Sequence, residues 1–220
     1  MSKKESILAL IREQSMLPLF YHDSEQLSLE VVKALYAGGV KLIEYTNRGP
    51  KALTNFSFLR KAIDKEMPGM KLGIGTIRTP EDAEAFIQAG ADFVVCPVVI
   101  KEVGDAVHKH NLLWIPGCQT STEIDVAERA GAKLVKIFPG NILGPGFISA
   151  VKEIFQNISF MPTGGVEPEE ENLKAWFNSG VVAVGMGSKL ISKTLLEQQN
   201  FSKLTESSIK TLSLIQSCKK

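Results

Sequence analysis

Short apolar runs alternate with amphipathic stretches along almost the whole chain. Residues 17–21 and 40–46 are apolar runs with the length and composition of buried parallel strands. The stretches between such runs carry apolar residues at the three- and four-residue spacing of helices. Helix boundaries are marked as well, because Thr79 and Pro80 are typical of a helix start and Gly39 is typical of a helix end. The pattern predicts an α/β chain in which a helix follows each strand.

Eight strands are predicted in this way. They are residues 17–21, 40–46, 70–75, 91–96, 112–117, 132–140, 158–161 and 181–184. The predicted helices include residues 50–65 and 146–156, an N-terminal helix at about 3–14 and a C-terminal helical region at about 189–217. Eight strand–helix units in 220 residues fit the lower size range of a (β/α)8 TIM barrel, as a single domain over residues 1–220. A doubly wound open sheet is the alternative, although the first strand–helix turn lacks the glycine-rich dinucleotide fingerprint.

The composition is that of an ordinary globular protein, with 44% hydrophobic residues and a net charge of +1. A near-neutral chain without a clustered basic run argues against nucleic acid as the main partner. No apolar run is long enough to span a membrane, and the opening residues MSKKE lack the apolar core of a signal peptide, so we expect a cytoplasmic protein. Cys96, Cys118 and Cys218 lack metal-binding spacing, so neither a zinc site nor a disulfide framework is expected.

One predicted strand carries a lysine in its middle. Alternation along residues 132–140 places Lys136 on the same face as Leu134 and Phe138, and this face is expected to be dry. Burial disfavours the charged form of an amine and lowers a lysine pKa from its ordinary value of about 10.4. A neutral amine attacks carbonyl carbons to form a Schiff base, so Lys136 is a candidate nucleophile. The alternative is a structural lysine that extends its amine into solvent near the strand end.

The second predicted strand carries a candidate proton-transfer group near its end. Glu44 shares its face with Leu42 and Thr46, and an acid on an apolar face requires a partner or a chemical role. Burial raises a carboxyl pKa, which suits a general acid–base. Arg48 in the following loop has the fork geometry that binds a carboxylate. A structural Glu44–Arg48 ion pair, or a solvated strand end, explains the same residues without catalysis.

Glycines occur at the ends of three predicted strands. Gly73 and Gly75 would let a ligand approach the third strand closely, and Thr76 adds a hydroxyl beside them. The stretches 162–166 and 184–188 end the seventh and eighth strands, where barrels of this kind usually bind phosphate through backbone N–H groups. Tight turns and helix caps explain these glycines equally well.

Together, these stretches resemble the aldolase family that cleaves 2-keto-3-deoxy-6-phosphogluconate (KDPG), which also includes 4-hydroxy-2-oxoglutarate (KHG) aldolases. The resemblance covers most of the chain, and its order and spacing are specific. It is carried by Gly39-Val40, Glu44, Thr46, Arg48, Gly75-Thr76, Cys96-Pro97, Ile115-Pro116-Gly117, Lys136-Ile137-Phe138-Pro139, Pro162-Thr163-Gly164-Gly165 and Gly187-Ser188.

The resemblance implies a class I aldolase on a (β/α)8 barrel, without a metal or other cofactor and usually assembled as a homotrimer. It implies that Lys136 is the Schiff-base lysine and that Glu44 is the general acid–base. The remaining implied contacts are Arg48, Thr76 and Thr163 around the pyruvyl carboxylate and carbonyl, Pro97 as a pocket wall, and Gly164, Gly165, Gly187 and Ser188 around the phosphate.

The predicted reaction is the reversible cleavage of 2-keto-3-deoxy-6-phosphogluconate to pyruvate and glyceraldehyde 3-phosphate. The two phosphate-type loops favour this phosphorylated 2-keto acid over 4-hydroxy-2-oxoglutarate, which would give pyruvate and glyoxylate. Two other classes share some of these features, namely a sugar-phosphate isomerase or epimerase on the same barrel and a non-catalytic phosphometabolite-binding protein. An isomerase does not need an amine, so the chemistry of Lys136 distinguishes it from an aldolase.

Overall fold

The computed structural model describes residues 2–219. Its strands are β1 (Met16–Phe20), β2 (Leu42–Thr46), β3 (Lys71–Gly75), β4 (Phe93–Val95), β5 (Leu113–Ile115), β6 (Gly117–Cys118), β7 (Leu134–Ile137), β8 (Ser159–Pro162) and β9 (Val184–Met186). Its helices are α1 (Lys3–Gln14), α2 (Glu25–Ala37), α3 (Ala52–Glu66), α4 (Pro80–Gln88), α5 (Lys101–Lys109), α6 (Ser121–Arg129), α7 (Gly140–Val151), α8 (Glu170–Ser179), α9 (Lys193–Glu197) and α10 (Phe201–Cys218).

The strands form a curled parallel sheet in two hydrogen-bonded sections. Six strands pair in the order β5-β4-β3-β2-β1-β9, and three pair in the order β6-β7-β8. The pairings within residues 2–219 are all parallel, as expected when helices connect successive strands. Only Pro116 separates β5 from β6, and a bridge joins Thr163, just after β8, to Gly185 in β9. The predicted α/β fold is confirmed.

Strand alternation divides the apolar core into two parts. One face of the sheet packs against the surrounding helices and includes the buried rings of Tyr45 and Trp114. The other face encloses a smaller cluster, to which α1 contributes Ile7 and Ile11. These side chains pack with residues near the amino ends of strands, among them Leu17 in β1. Helix α1 therefore covers the amino-terminal end of the sheet, and chemistry at the carboxyl ends lies on the opposite side.

The start of α7 differs from the prediction, which placed this helix at residues 146–156. It begins instead at Gly140, whose N–H donates to Thr163 O at 2.8 Å. Gly144 has the non-helical angles φ 70° and ψ 172° and separates this first turn from a second helical segment at Pro145, close to the predicted start at residue 146. A contact between two loops distant in sequence thus adds the first turn.

Other element boundaries also differ from the predicted ones, and several strands are shorter than predicted. The helix predicted from residue 50 begins at Ala52, and the strand predicted at 181–184 lies at Val184–Met186. The predicted C-terminal helical region consists of two helices, because the side chains of Ser192 and Asn200 each cap a separate N-terminus. Within residues 2–219, the helices are too short or too polar to cross a membrane.

Candidate active site

The amine of Lys136 lies on the inner face of β7. Lys136 is 4% exposed and shares this face with Leu134, which is fully buried. The ring centroid of Phe138 lies 5.1 Å from Lys136 Nζ, which is within the range of a cation–π contact. The predicted dry face is confirmed, and the alternative of a lysine extended into solvent is wrong.

Glu44 of β2 faces Lys136. Glu44 Oε1 lies 3.9 Å from Lys136 Nζ, an ion-pair distance that is too long for a hydrogen bond. Glu44 is 1% exposed, and neither of its carboxyl oxygens has a hydrogen-bond partner among residues 2–219. Burial raises the pKa of Glu44, while the positive charges of Lys136 and Arg48 act in the opposite direction. The carboxyl group therefore lies within ion-pair distance of the candidate nucleophile and has no hydrogen-bond partner among residues 2–219.

The hydroxyl of Thr163 is a second buried polar group whose hydrogen bonds are unmade within the described chain. Thr163 is 7% exposed, and its Oγ1 has no partner among residues 2–219. Its backbone N–H donates at 2.9 Å to the carbonyl of Ile137, the residue after Lys136. Buried polar atoms are normally hydrogen-bonded, so unpaired atoms on Thr163 and Glu44 indicate a place where a polar ligand completes the bonds.

Glycines in the neighbouring strands provide the space for these polar side chains. A Cβ atom on Gly75 would lie 1.8 Å from Glu44 Oε1, and one on Gly185 would lie 2.2 Å from Thr163 Oγ1. A Cβ atom on Gly73 would likewise meet the ring of Phe93 at 2.2 Å. The space that a Cβ atom would occupy at Gly73 and Gly75 is therefore filled by protein side chains, and the approach of a ligand to these glycines stays a prediction.

We expect Gly75→Ala to lower the kcat of any reaction that uses Glu44 by about 100-fold. The new methyl group must displace the Glu44 carboxyl by about an ångström or more, which is enough to misplace a reacting group. Gly146→Ala is the matched control, since a Cβ atom on Gly146 meets no atom within 4 Å. Steady-state kinetics and thermal unfolding of both variants test this expectation. Equal kcat values for the two folded variants would contradict it.

Three further predicted site residues lie at the carboxyl ends of adjacent strands. Arg48 follows β2 and is exposed, whereas Thr76 follows β3 and is half-buried with an uncommon positive φ of 63°. Pro97 follows β4 and is half-buried. Together with Gly117 and Phe138, it lines a cleft of about 280 Å³. Arg48, Thr76 and Pro97 thus lie at the carboxyl-terminal edge of three neighbouring strands.

The two glycine loops lie side by side because their strands are neighbours. Thr163 pairs with Gly185, which brings the loop containing Gly164 and Gly165 next to the loop containing Gly187 and Ser188, a neighbourhood that the sequence predicts. Gly164 and Gly165 have φ values of 94° and 71°, a region that glycine adopts readily. The two glycine-containing loops therefore lie next to each other at the carboxyl ends of β8 and β9.

Contacts that sequence reasoning missed join and brace these loops. Lys189 Nζ lies 2.6 Å from Glu167 Oε1, and this ion pair connects the two loops. The carbonyl of Gly165 accepts hydrogen bonds from Asn172 Nδ2 at 3.1 Å and from Trp176 Nε1 at 3.4 Å. Opposite charges on Glu167 and Lys189 were visible in the sequence, but their contact depends on the pairing of distant strands.

The remaining reactive groups offer no second centre of this kind. Among residues 2–219, no three His, Cys, Asp or Glu side chains are grouped so that they could hold a metal ion. Cys96, Cys118 and Cys218 are buried free thiols, and burial raises the pKa of Cys96 and Cys118 to about 12. A cavity of about 540 Å³ lies at the amino-terminal side of the sheet, where Val182 and Lys219 line it, away from the candidate residues.

The chain matches a known family over most of its length. The sequence model of the aldolase family described as "KDPG and KHG aldolase" matches residues 7–207. The chain belongs to this family. It is therefore an aldolase, a carbon–carbon lyase, as the sequence predicts.

Individual members of the KDPG and KHG aldolase family agree with this assignment. The 2-dehydro-3-deoxy-phosphogluconate aldolase of Pseudomonas aeruginosa is 34% identical over 165 residues, which cover 74% of this chain and 73% of that protein. The 2-dehydro-3-deoxy-6-phosphogalactonate aldolase of Escherichia coli is 37% identical over 120 residues, which cover 54% of this chain and 58% of that protein. A crystal structure of the KDPG aldolase from Legionella pneumophila, with pyruvate captured as a covalent carbinolamine, superposes with a TM-score of 0.83 at 26% identity, covering 92% of this chain and 96% of that one.

Proposed function

We propose that this protein is a class I aldolase that cleaves 2-keto-3-deoxy-6-phosphogluconate to pyruvate and glyceraldehyde 3-phosphate. The observation that supports this most strongly is the buried pair of Lys136 and Glu44, 3.9 Å apart, in a member of an aldolase family. Membership of that family also favours an aldolase over a sugar-phosphate isomerase or a non-catalytic binding protein. Lys136 is the proposed nucleophile, and Glu44 is the proposed general acid–base.

The proposed reaction begins when the unprotonated amine of Lys136 attacks the C2 ketone of the substrate. Glu44 moves the protons that convert the adduct to a carbinolamine and then release water, which leaves an iminium. Glu44 next takes the proton of the C4 hydroxyl as the C3–C4 bond breaks. The electron pair of that bond passes to the iminium, so the products are an aldehyde and an enamine. Protonation of the enamine at C3 and hydrolysis release pyruvate and restore the amine.

The substrate carboxylate is assigned to the rim of the site. Arg48 supplies a guanidinium that binds a carboxylate in bidentate fashion, and the hydroxyls of Thr76 and Thr163 complete the polar contacts to the pyruvyl group. The unpaired, buried Oγ1 of Thr163 supports this assignment, because a bound carboxylate or carbonyl would accept its hydrogen bond. Pro97 is assigned to the pocket wall because it follows β4, which is next to β3 in the sheet.

The phosphate is assigned to the loops containing Gly164, Gly165, Gly187 and Ser188. Their positive-φ glycines and adjacent strands support an anion site made of backbone N–H groups and one hydroxyl. This assignment favours a phosphorylated substrate over 4-hydroxy-2-oxoglutarate, which has no phosphate to place there.

We further infer that the curled sheet closes as an eight-stranded barrel in which β5 and β6 form one strand interrupted by Pro116. Lys136 N donates to Pro116 O at 2.8 Å, and Val182 N, just before β9, donates to Phe160 O in β8 at 3.1 Å. These bonds, with the bridge between Thr163 and Gly185, support contact at both junctions between the two sections. The single domain, the homotrimer and the cytoplasmic location remain predictions.

The substrate assignment is tested by measuring pyruvate release from KDPG, its unphosphorylated analogue and 4-hydroxy-2-oxoglutarate. We expect the highest kcat/KM for KDPG. Ser188→Ala should lower that value by about tenfold, since a hydrogen bond to a charged phosphate contributes about 1.5–3 kcal/mol, and should leave the unphosphorylated substrate nearly unaffected. Ser217→Ala is the control, because Ser217 is exposed on α10 and bonds only to Leu214 O at 2.8 Å. Faster cleavage of 4-hydroxy-2-oxoglutarate would contradict the substrate assignment and leave the aldolase chemistry intact.

A further inference from the structure

Two loops at the carboxyl ends of β1 and β2 are linked by a group of polar contacts that range from buried to exposed. The first loop, residues 21–24, follows β1, and the second, residues 47–51, follows β2 and carries Arg48. The contacts are made by five residues, which we call the tyrosine clamp. They are Tyr21, His22, Asp23, Tyr45 and Asn55.

Tyr45 and Asn55 hold the first loop against the start of α3. Tyr45 is fully buried on the face of β2 opposite to Glu44, and its hydroxyl donates to His22 O at 2.8 Å. Asn55 Nδ2 lies 3.0 Å from His22 O, 3.0 Å from Asp23 O and 3.2 Å from the Tyr45 hydroxyl. Because Asn55 belongs to the first turns of α3, these bonds fix the first loop relative to the helix that follows Arg48.

Tyr21 holds the second loop at Gly49, the residue next to Arg48. A Cβ atom on Gly49 would lie 2.2 Å from the Tyr21 hydroxyl oxygen, so the phenol packs directly on the backbone at this position. The ring of Tyr21 in turn contacts the ring of Tyr45, with their centroids 5.6 Å apart, and its hydroxyl donates to the Asp23 carboxylate. The backbone that follows Arg48 is therefore held at two points, by Tyr21 at Gly49 and by Asn55 in α3.

We propose that Tyr21 and Tyr45 are positioning residues that hold the Arg48 loop in place for the carboxylate of the 2-keto acid. This inference rests on the proposed function, in which Arg48 binds that carboxylate. Arg48 is exposed, so few side-chain contacts restrain it, and the direction of its guanidinium depends on a fixed backbone. A loop ordered before binding loses less conformational entropy when the carboxylate arrives, so the clamp raises affinity without touching the substrate.

The test compares Tyr21→Ala with Tyr36→Ala. Both tyrosines are half-buried, and Tyr36 makes one side-chain hydrogen bond, to Pro68 O at 3.2 Å, on the far end of α2 from the clamp. Borohydride trapping measures the pyruvate concentration that gives half of the maximal adduct on Lys136, and hydrogen–deuterium exchange measures the order of residues 47–52. We expect Tyr21→Ala to raise the half-saturating concentration by about tenfold with an unchanged maximal adduct, and to speed exchange in residues 47–52. Tyr36→Ala should change neither.

An unchanged half-saturating concentration in folded Tyr21→Ala would overturn the positioning role, as would an equal rise in Tyr36→Ala. If Tyr21→Ala does not fold, Tyr45→Phe decides by the same two measurements, because it removes only the hydroxyl and keeps the ring contacts. We expect about a two- to fivefold rise from loss of the hydrogen bonds that this hydroxyl makes with His22 O and Asn55 Nδ2.

If the protein is not a Schiff-base aldolase, the trapping experiment gives a different result. In that case wild-type protein forms no adduct on Lys136 at any pyruvate concentration, and the role in substrate binding is overturned with it. Hydrogen–deuterium exchange still tests the structural part of the inference. Faster exchange at residues 47–52 in Tyr45→Phe supports the link between the loops, and unchanged exchange overturns it.

Discussion

Lys136→Met is expected to lower aldol cleavage by about 10⁴-fold or more while the protein remains folded. The substitution removes the only atom proposed to bond to the substrate ketone. Methionine has an unbranched side chain of similar length, so it fills much of the space that the buried lysine stem occupies. Loss of the amine also leaves Glu44 without its cation, but burial already raises the pKa of Glu44, so the carboxyl can take up a proton rather than remain an isolated buried anion.

Lys133→Met is the matched control for this prediction. Lys133 lies three residues earlier in the chain and is exposed, so its loss should leave kcat within about twofold of the wild-type value. Pyruvate release at saturating KDPG gives kcat, and thermal unfolding shows whether each variant is folded. A folded Lys136→Met protein with more than a small percentage of wild-type activity would show that another group attacks the ketone.

Glu44→Gln is expected to lower kcat by about 10²- to 10⁴-fold, which is the usual contribution of a general acid–base. Glutamine has nearly the same shape and fits beside Gly75, so the loss would come from proton transfer rather than from a steric change. Because Lys136 remains, the variant should still form a trapped adduct with pyruvate, although more slowly than the wild type. Full cleavage activity in Glu44→Gln would show that Glu44 is not the acid–base.

Glu44→Gln is also expected to change how the free energy of unfolding depends on pH. Folding raises the pKa of Glu44 above its ordinary value of 4.5, so the folded protein keeps this proton to a higher pH than the unfolded chain does. The contribution of Glu44 to stability is therefore fully present below pH 4.5 and is lost as the pH rises through the folded-state pKa. Glutamine cannot ionise, so Glu44→Gln does not lose this contribution. Its free energy of unfolding should therefore rise relative to that of the wild type as the pH rises toward neutrality. Urea unfolding at several pH values measures this difference, and a constant difference would contradict the raised pKa.

Much of the fold was accessible from the sequence because its signals are local. The alternation of apolar residues around Lys136 identified the buried face correctly, since side chains in a strand alternate whatever the strand pairs with. Thr79 and Pro80 marked the start of α4 correctly, because an N-cap hydrogen bond and the fixed φ of proline act within one turn. The burial of Glu44 followed from the same kind of local pattern.

The features that sequence reasoning missed depend on contacts between distant segments. The role of Gly75 depends on the register that sets Glu44 opposite Gly73, and a single sequence does not show this register. The early start of α7 depends on the bond from Gly140 to Thr163, and the tyrosine clamp depends on Asn55 reaching the loop after β1. In each case the sequence shows the residue types, but only the fold brings them together.

Borohydride trapping with pyruvate shows directly whether Lys136 forms the Schiff base. The wild-type protein is incubated with saturating pyruvate, reduced, digested and mapped by peptide mass, with Lys136→Met and Lys133→Met treated in the same way. The proposed mechanism predicts a reduced pyruvyl adduct on the peptide containing Lys136 in the wild type and in Lys133→Met, and no adduct in Lys136→Met. No adduct in the folded wild-type protein, or an adduct on another lysine that persists in Lys136→Met, would contradict the assignment of Lys136 as the Schiff-base residue.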